Sequence, residues 1–204
     1  MEKVLNFVLA SGSAERLRLL RGIGLEPLVI SSEYKECRIA DESPEDMVMR
    51  LAEGKARAVL ALPDFPADAF LIAADTVVAV DGDILGKPRD ISDARAMLGR
   101  LSGREHRVLT GLALARVAAD ALPAAIDLSL AETRVRFRVL DDDTIHAYLE
   151  REEALCAAGS YRVQGLGVLL LDPVCPVTGS WSNIAGLPLE LLAERSRSLG
   201  LRLL

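Results

Sequence analysis

A run of twelve residues near the middle of the chain, Ala69–Val80, constrains the fold more than any other segment. It is apolar and partly β-branched, which predicts a central β-strand. Asp81-Gly82-Asp83 then predicts a hairpin turn, with Ile84 and Leu85 on the returning strand. One acid, Asp75, interrupts the run. Because a buried acid must be paired, hydrogen-bonded or bound to a metal, we favour a functional role for Asp75 over an acid at a sheet edge.

The remaining apolar segments alternate between strand-like and helix-like patterns. Further strands are predicted at residues 4–10, 28–31, 107–117, 129–139 and 168–172. Helices are predicted at residues 15–21, 44–62, 92–101, 141–152 and 188–199, with Ser43 as the cap of the second and Ser92 as the cap of the third. This alternation, with some hairpins, predicts an α/β fold with a mixed central sheet and flanking helices. An alanine-rich loop with Pro123 separates two of the strands. No repeat or linker divides the 204 residues, so we predict one domain, 1–204, with two lobes.

Composition and charge exclude several classes of function. The chain has 24 lysines and arginines against 30 aspartates and glutamates, and only 4% aromatic residues. Its net charge of −6 does not support direct DNA binding, which needs a basic face. No apolar run is long enough to span a membrane, and no signal-peptide pattern is present, so a cytoplasmic protein is expected.

The cysteines and histidines are scattered. Cys37, Cys156 and Cys175 form no CxxC motif, and His106 and His146 are isolated. A disulfide framework, a zinc site and a histidine-rich metal centre are therefore poor interpretations.

The turn Ser11-Gly12-Ser13 lies between the first predicted strand and the first predicted helix. Backbone N–H groups at such a helix start favour an anion, and Arg16 could add a contact to phosphate. The alternative is an ordinary capped helix with a solvated arginine.

Two further segments could contribute to a nucleotide site. Gly82–Pro88 looks like a P-loop, but its glycine spacing is too short and Pro88 replaces the magnesium-binding hydroxyl residue. Lys87 could still reach phosphate near Asp75, or it could be an ordinary surface lysine. In the glycine-rich loop that follows Ser160, Gln164 offers both a donor and an acceptor to a base edge, unless this is a simple connection. A GxSxG elbow is absent, which leaves serine or cysteine hydrolysis without support.

Six blocks of the sequence, in this order, resemble the Maf family of nucleoside triphosphate pyrophosphatases. They are LASGSAERLRLLRGIGL, ESPEDMVMRLAEGKA, AADTVVAVDGDILGKPRD, MLGRLSGREHRVLTG, AGSYRVQGLG and NIAGLPLELL. The resemblance implies an ITPase-like (Maf-like) fold with two lobes around a deep cleft, commonly dimeric. It also implies cleavage of a nucleoside triphosphate between the α- and β-phosphates, with Mg²⁺ or Mn²⁺ as the divalent metal.

The resemblance also implies roles for individual residues. The catalytic residues would be Asp75, Glu36 and Lys55. The substrate-binding residues would be Ser13, Arg16, Thr76, Lys87 and Gln164. Asp75 and Glu36 would also bind the metal, since Mg²⁺ prefers oxygen ligands and needs only one or two carboxylates beside substrate phosphates. Asp75 would orient or deprotonate the attacking water.

This chain departs from the family pattern at positions that mark the preferred base. It has Ser13-Ala14-Glu15-Arg16 where the family often has Ser-Pro-Arg-Arg, and Gly54 where an acid is usual. Gln164 is typical of relatives that prefer dTTP and UTP, whereas Glu15 departs from them. We weight Gln164 more, because its loop is expected to face the base. The expected enzyme is thus a house-cleaning dTTP/UTP pyrophosphatase. The alternatives are a 7-methyl-GTP pyrophosphatase and a nucleotide-binding regulator of cell division without turnover.

Overall fold

The computed structural model describes residues 5–118 and 125–204. The predicted loop at Pro123 and the start of the predicted first strand at Val4 lie outside these residues. The strands are β1 (Asn6–Leu9), β2 (Leu28–Val29), β3 (Ala69–Val80), β4 (Asp83–Leu85), β5 (Glu105–Val117), β6 (Ile126–Arg136) and β7 (Val177–Thr178). The α-helices are α1 (Ala14–Gly22), α2 (Pro44–Leu60), α3 (Ile91–Leu101), α4 (Asp142–Arg151), α5 (Trp181–Ile184) and α6 (Leu189–Ser198). Short 3₁₀ helices span Ala154–Cys156, Ala158–Ser160 and Leu166–Leu170.

The sheet mixes parallel and antiparallel pairs. β1 pairs in parallel with β2 and β3, while β4 runs antiparallel to β3 and β7 runs antiparallel to β6. The predicted α/β class, with a mixed sheet and flanking helices, is therefore confirmed. The chain divides into two compact units, and β3, β5 and β6 contribute residues to both. The first unit contains residues 5–75, 110–118, 125–131 and 186–204, and the second contains 76–109 and 132–185.

In the first unit, Val8 and Leu9 of β1 and the first half of β3 are buried on both faces. Alternate residues point to opposite faces, so Leu71 and Ala73 pack in the cluster that contains Ala52 and Ala56 of α2. Phe70 and its alternating neighbours pack instead in the cluster that contains Leu20 of α1 and Leu192 of α6. Two apolar layers thus hold this part of the sheet, one on each face.

The apolar C-terminus packs on its own unit. Leu199, Leu201 and Leu203 are partly buried against the cluster that contains Leu192, while Leu204 is 99% exposed. The apolar leucines at the end of the chain are therefore explained, all but the last, by intramolecular packing.

Helix α2 begins where the sequence predicts. The Ser43 hydroxyl accepts a hydrogen bond from the Asp46 N–H at 3.1 Å, and Pro44 occupies the first turn. The buried stripe includes Val48, Leu51 and Lys55, at the three- and four-residue spacing of one helix face. A lysine thus lies on the helix face that packs into the protein.

The second unit has its own core, which includes buried residues of α3 and α4 together with Phe137 and Tyr161, which follow β6 in the chain. β4 returns from β3 through a two-residue turn in which Asp81 and Gly82 have φ of 52° and 84°. Two positive φ values are typical of the turn that matches strand twist, and the predicted hairpin is confirmed. His106, buried beside Phe137 and Tyr161, lies at ring-centroid distances of 4.9 and 5.4 Å from them.

Two local predictions in the second unit are wrong. Asp90, rather than Ser92, caps α3, because its carboxylate accepts from the Asp93 N–H at 2.8 Å. Residues 168–172 are not a strand, since Leu166–Leu170 forms a 3₁₀ helix and only Leu171 makes an isolated bridge, to Phe137. A short apolar run does not distinguish a strand from a tight helical turn by periodicity.

Within residues 5–118 and 125–204, no helix is both long and apolar enough to cross a membrane.

Candidate active site

The first turn of α1 carries an arginine that is buried, not solvated. Ser13 caps α1 through its hydroxyl, and the Arg16 side chain is turned into the first unit with only 8% of the residue exposed. Its Nε donates to the Gly186 carbonyl at 2.7 Å, and Nη1 donates to the Ser11 hydroxyl at 3.0 Å. A capped helix is confirmed, whereas the alternative of a solvated arginine is wrong.

Asp75, on β3, forms a buried ion pair with Lys55 of α2. Lys55 Nζ lies 2.6 Å from Asp75 Oδ1, and the two side chains are 9% and 10% exposed. The same nitrogen lies 2.6 Å from Oε1 of Glu36, whose side chain is 56% exposed. The fold therefore brings the three predicted catalytic side chains together, because Asp75 and Glu36 both contact the ammonium group of Lys55. Lys55 and Asp75 are buried, whereas Glu36 reaches toward solvent.

Burial dominates the electrostatics of this cluster. The pKa of Asp75 is raised above its usual value, chiefly by loss of hydration, although Lys55 and Arg16 act in the opposite direction. Burial also lowers the pKa of the Arg16 guanidinium, against the attraction of Asp75 and Glu36. A carboxylate with a raised pKa beside two cations is typical of a group that takes up a proton during a reaction.

The other predicted binding residues belong to the second unit. Thr76 follows Asp75 directly on β3. Lys87 is exposed in the loop after β4, and Gln164 is exposed in the turn before the 3₁₀ helix Leu166–Leu170. Their predicted approach to the substrate stays a prediction.

The turn that carries Gln164 is braced by Glu152. The carboxylate of Glu152 accepts from the Leu166 N–H at 2.7 Å and from Arg162 at 3.2 Å. A Cβ at Gly165 would lie 2.9 Å from Cδ of Glu152, so a side chain at this position would displace the carboxylate that braces the turn. Gln164 is therefore presented on a well-anchored turn.

Sequence reasoning missed two groups at the arginine, the Ser11 hydroxyl and the Gly186 carbonyl. Nothing in the sequence marks a backbone carbonyl 170 residues away as the partner of Arg16. Sequence reasoning also did not predict the burial of Lys55, although the spacing of apolar residues in α2 indicates it. Lys55 lies seven residues after Val48 and four after Leu51, on the same helical stripe.

The carboxylates present fit a divalent metal only with help from a ligand. Within the described part of the chain, no group of three or more His, Cys, Asp and Glu side chains could hold a metal ion. Asp75 and Glu36 nevertheless each place one hard oxygen donor 2.6 Å from Nζ of Lys55. Mg²⁺ commonly binds one or two carboxylates together with waters and substrate phosphates. The donor set therefore fits a cation that is shared with a triphosphate, not a dedicated protein cage.

Comparison with known proteins agrees with the sequence blocks. The family model described as Maf-like protein matches residues 6–199. A dTTP/UTP pyrophosphatase of Symbiobacterium thermophilum is 41% identical over 193 residues, covering 95% of this chain and 93% of that protein. Those of Clostridioides difficile and Hahella chejuensis are 38% and 43% identical over 190 and 182 residues. These alignments cover 93% and 89% of this chain, and 93% and 86% of the relatives.

A solved structure, that of the Staphylococcus aureus Ham1 protein, superposes with a TM-score of 0.41 and 14% identity. It covers 65% of this chain and 71% of the other, and a likeness this slight carries no inference. The ITPase-like relationship and the deep cleft stay predictions. The family resemblance, by contrast, is confirmed: a match over residues 6–199 and relatives alike along most of their length show that the chain belongs to the Maf-like protein family.

Proposed function

We propose that this chain is a nucleoside triphosphate pyrophosphatase that hydrolyses dTTP and UTP to the monophosphate and pyrophosphate. The observation that carries the proposal is the buried Lys55–Asp75 pair, with Glu36 on the same ammonium, in a chain whose relatives are named dTTP/UTP pyrophosphatases. We propose that residues 1–204 act as one pyrophosphatase domain in the cytoplasm and that the enzyme is a homodimer.

Asp75 is the proposed general base. As a carboxylate it accepts a proton from the water that attacks the triphosphate, while the α–β anhydride bond breaks and pyrophosphate leaves. Lys55 holds one oxygen of Asp75 and fixes its orientation. Proton transfer to a positioned carboxylate contributes typically about 10²–10⁴-fold in rate.

The cations of the site stabilise the charge that develops on phosphate. Lys55 and Arg16 are buried, where charge interactions are stronger than in water. Ser13 would donate to phosphate at the start of α1, and Thr76 and Lys87 would complete the contacts to the triphosphate. A divalent cation held by Asp75, Glu36 and the substrate phosphates would neutralise further negative charge when bound.

Glu15 and Gln164 differ in whether their side chains are available to hydrogen-bond to a base. Glu15 is paired with Arg18 of its own helix, at 2.5 Å from Nη2, and its side chain is 16% exposed. Gln164 is exposed on its anchored turn and can both donate to and accept from a pyrimidine edge. This contrast supports dTTP and UTP over 7-methyl-GTP.

The test is product analysis on a panel of nucleoside triphosphates that includes dTTP, UTP and 7-methyl-GTP, with Mg²⁺ or Mn²⁺. We expect monophosphate and pyrophosphate from dTTP and UTP, in equal amounts, and no turnover without a divalent metal. Turnover of 7-methyl-GTP alone would overturn the assigned base. Binding of nucleotides without turnover, by a folded protein, would favour the regulator of cell division instead.

A further inference from the structure

Tyr34 lies across helix α2 at a position that only glycine leaves open. A Cβ at Gly54, in the interior of the helix, would lie 2.6 Å from both Cε1 and Cε2 of the Tyr34 ring. Real Cβ contacts do not come this close, so any larger residue at 54 would move the ring. Glycine weakens a helix interior relative to alanine, and its presence here is explained by the ring that it admits.

A second contact holds the same segment on the other side of Glu36. Arg50 of α2 donates to the Cys37 carbonyl at 3.0 Å through Nη2. The guanidinium is itself fixed by two 2.6 Å hydrogen bonds to the carboxylate of Glu42. The backbone at Glu36 is therefore tied to α2 by Tyr34 before it and Cys37 after it.

These contacts bear on the active site because the segment has no regular secondary structure. Residues 30–39 belong to no helix or strand, and the Glu36 side chain is 56% exposed. An exposed glutamate on an irregular segment loses much side-chain freedom when it is held in one place. Its carboxylate is nevertheless 2.6 Å from Nζ of Lys55, the residue that follows Gly54.

We propose that Tyr34, packed over Gly54, is a positioning residue that holds Glu36 on Lys55 and thereby completes the catalytic cluster. The role in turnover rests on the proposed function, whereas the placement of the segment does not. Arg50 acts with Tyr34 as the second anchor. Gly54 and Tyr34 then act together, because the ring can occupy its position only while residue 54 has no side chain.

The central variant is Gly54→Ala, because alanine raises helix propensity yet displaces the Tyr34 ring. Hydrogen–deuterium exchange is expected to rise in residues 31–43 and to stay unchanged in α2. The kcat for dTTP is expected to fall about ten- to a hundredfold, as for a misplaced catalytic group. Gly99→Ala is the matched control, since Gly99 is also inside a helix, α3, and a Cβ there would meet nothing within 4 Å.

A double-mutant cycle separates positioning from a general loss of stability. Tyr34→Ala should match Gly54→Ala in exchange and in kcat, and the double variant should be no worse than either single one. Tyr34→Phe keeps the ring over Gly54 and loses only the hydrogen bond between its hydroxyl and Arg50, so its exchange and kcat should lie closer to those of the wild-type protein than to those of Tyr34→Ala. Unchanged exchange in Gly54→Ala, or defects that multiply in the double variant, would overturn the proposal. If the wild-type protein has no turnover, the proposed function fails and the exchange data still decide the placement.

Discussion

Lys55 Nζ donates a 2.6 Å hydrogen bond to Oδ1 of Asp75, and both side chains are about nine-tenths buried. The lysine comes from the buried stripe of α2 and the aspartate from the middle of β3. The buried face of an amphipathic helix and an apolar strand thus supply one charged pair. A buried charge is tolerated where it is paired with an opposite charge. Here the pair also supplies the carboxylate oxygens of Asp75 and the ammonium group of Lys55, which suit chemistry on phosphate.

Replacing Lys55 by methionine should slow turnover and shift its pH dependence. Lys55 lowers the pKa of Asp75, against burial, so its removal raises that pKa further. Because Asp75 acts as the carboxylate, the acid limb of kcat/KM against pH should move to higher pH. At the optimum, kcat/KM should fall about a hundredfold. Arg57→Met, an exposed substitution on the same helix, is the control and should leave both unchanged. An acid limb that stays in place would contradict the role of Lys55.

Asp75→Asn should remove activity and change how stability depends on pH. A pKa raised in the folded state means that ionising Asp75 costs folding stability as the pH rises above the ordinary value of 3.8. The free energy of unfolding of the variant, relative to that of the wild-type protein, should therefore rise between pH 4 and pH 7, on top of a constant loss because Lys55 has no buried partner. Urea titrations at several pH values measure this change.

Asp127→Asn provides the opposite sign as a control. Its pKa is lowered, first by the hydrogen bond from Arg195, so its charge stabilises the fold above the ordinary value. Neutralising it should destabilise the protein at pH 7, and this loss should fade in acid. A relative stability of Asp75→Asn that falls with rising pH, as that of Asp127→Asn should, would contradict the account of Asp75.

His106 should give the fold an acid sensitivity of its own. Burial lowers the pKa of His106 from 6.5 to about 4, so the native state holds the neutral ring. The stability from this group is present above pH 6.5 and is lost as the pH falls toward 4. The full loss is about 3 kcal/mol. His106→Gln should flatten the stability profile over this window, whereas His146→Gln, at an exposed position, should not. Parallel profiles for the wild-type protein and His106→Gln would refute this.

Gln164→Glu should weaken the preference for thymine and uracil. Glutamate only accepts, so it loses the donor and repels the carbonyl oxygens of these bases. The kcat/KM for dTTP should fall by about ten- to a hundredfold relative to that for 7-methyl-GTP, the cost of an unpaired polar group. Gln164→Met, neutral and of similar size, should lower dTTP turnover without favouring 7-methyl-GTP. Equal losses on both substrates in Gln164→Glu would show that this residue does not select the base.

Local chemistry accounts for what the sequence could predict. The bounds of β3 follow from its long, mostly apolar run, and the start of α2 follows from Ser43 and Pro44. The cap of α3 was harder to predict, because Asp90 and Ser92 are both good capping residues and lie two positions apart. The 3₁₀ helix at Leu166–Leu170 depends on the preceding turn, whose Gly165 N–H donates to the Arg162 carbonyl at 3.1 Å.

The cluster at Asp75 needed both the family pattern and the fold. Asp75 itself stands out as an acid in an apolar strand, but Lys55 is 20 residues away and Glu36 lies on an irregular segment. Contacts between such residues are set by tertiary packing, which no local pattern reports. The same holds for Gly54, whose role is visible only with the Tyr34 ring in place.

The central claim is that Asp75 performs the chemistry of a nucleotide pyrophosphatase. The most direct test is to quantify dTMP and pyrophosphate formed from dTTP by the wild-type protein and by Asp75→Asn, with Mg²⁺ and after thermal unfolding has shown both to be folded. We expect equimolar products from the wild-type protein and a rate lower by about 10²–10⁴-fold in the variant. Comparable turnover by a folded Asp75→Asn variant would contradict the account.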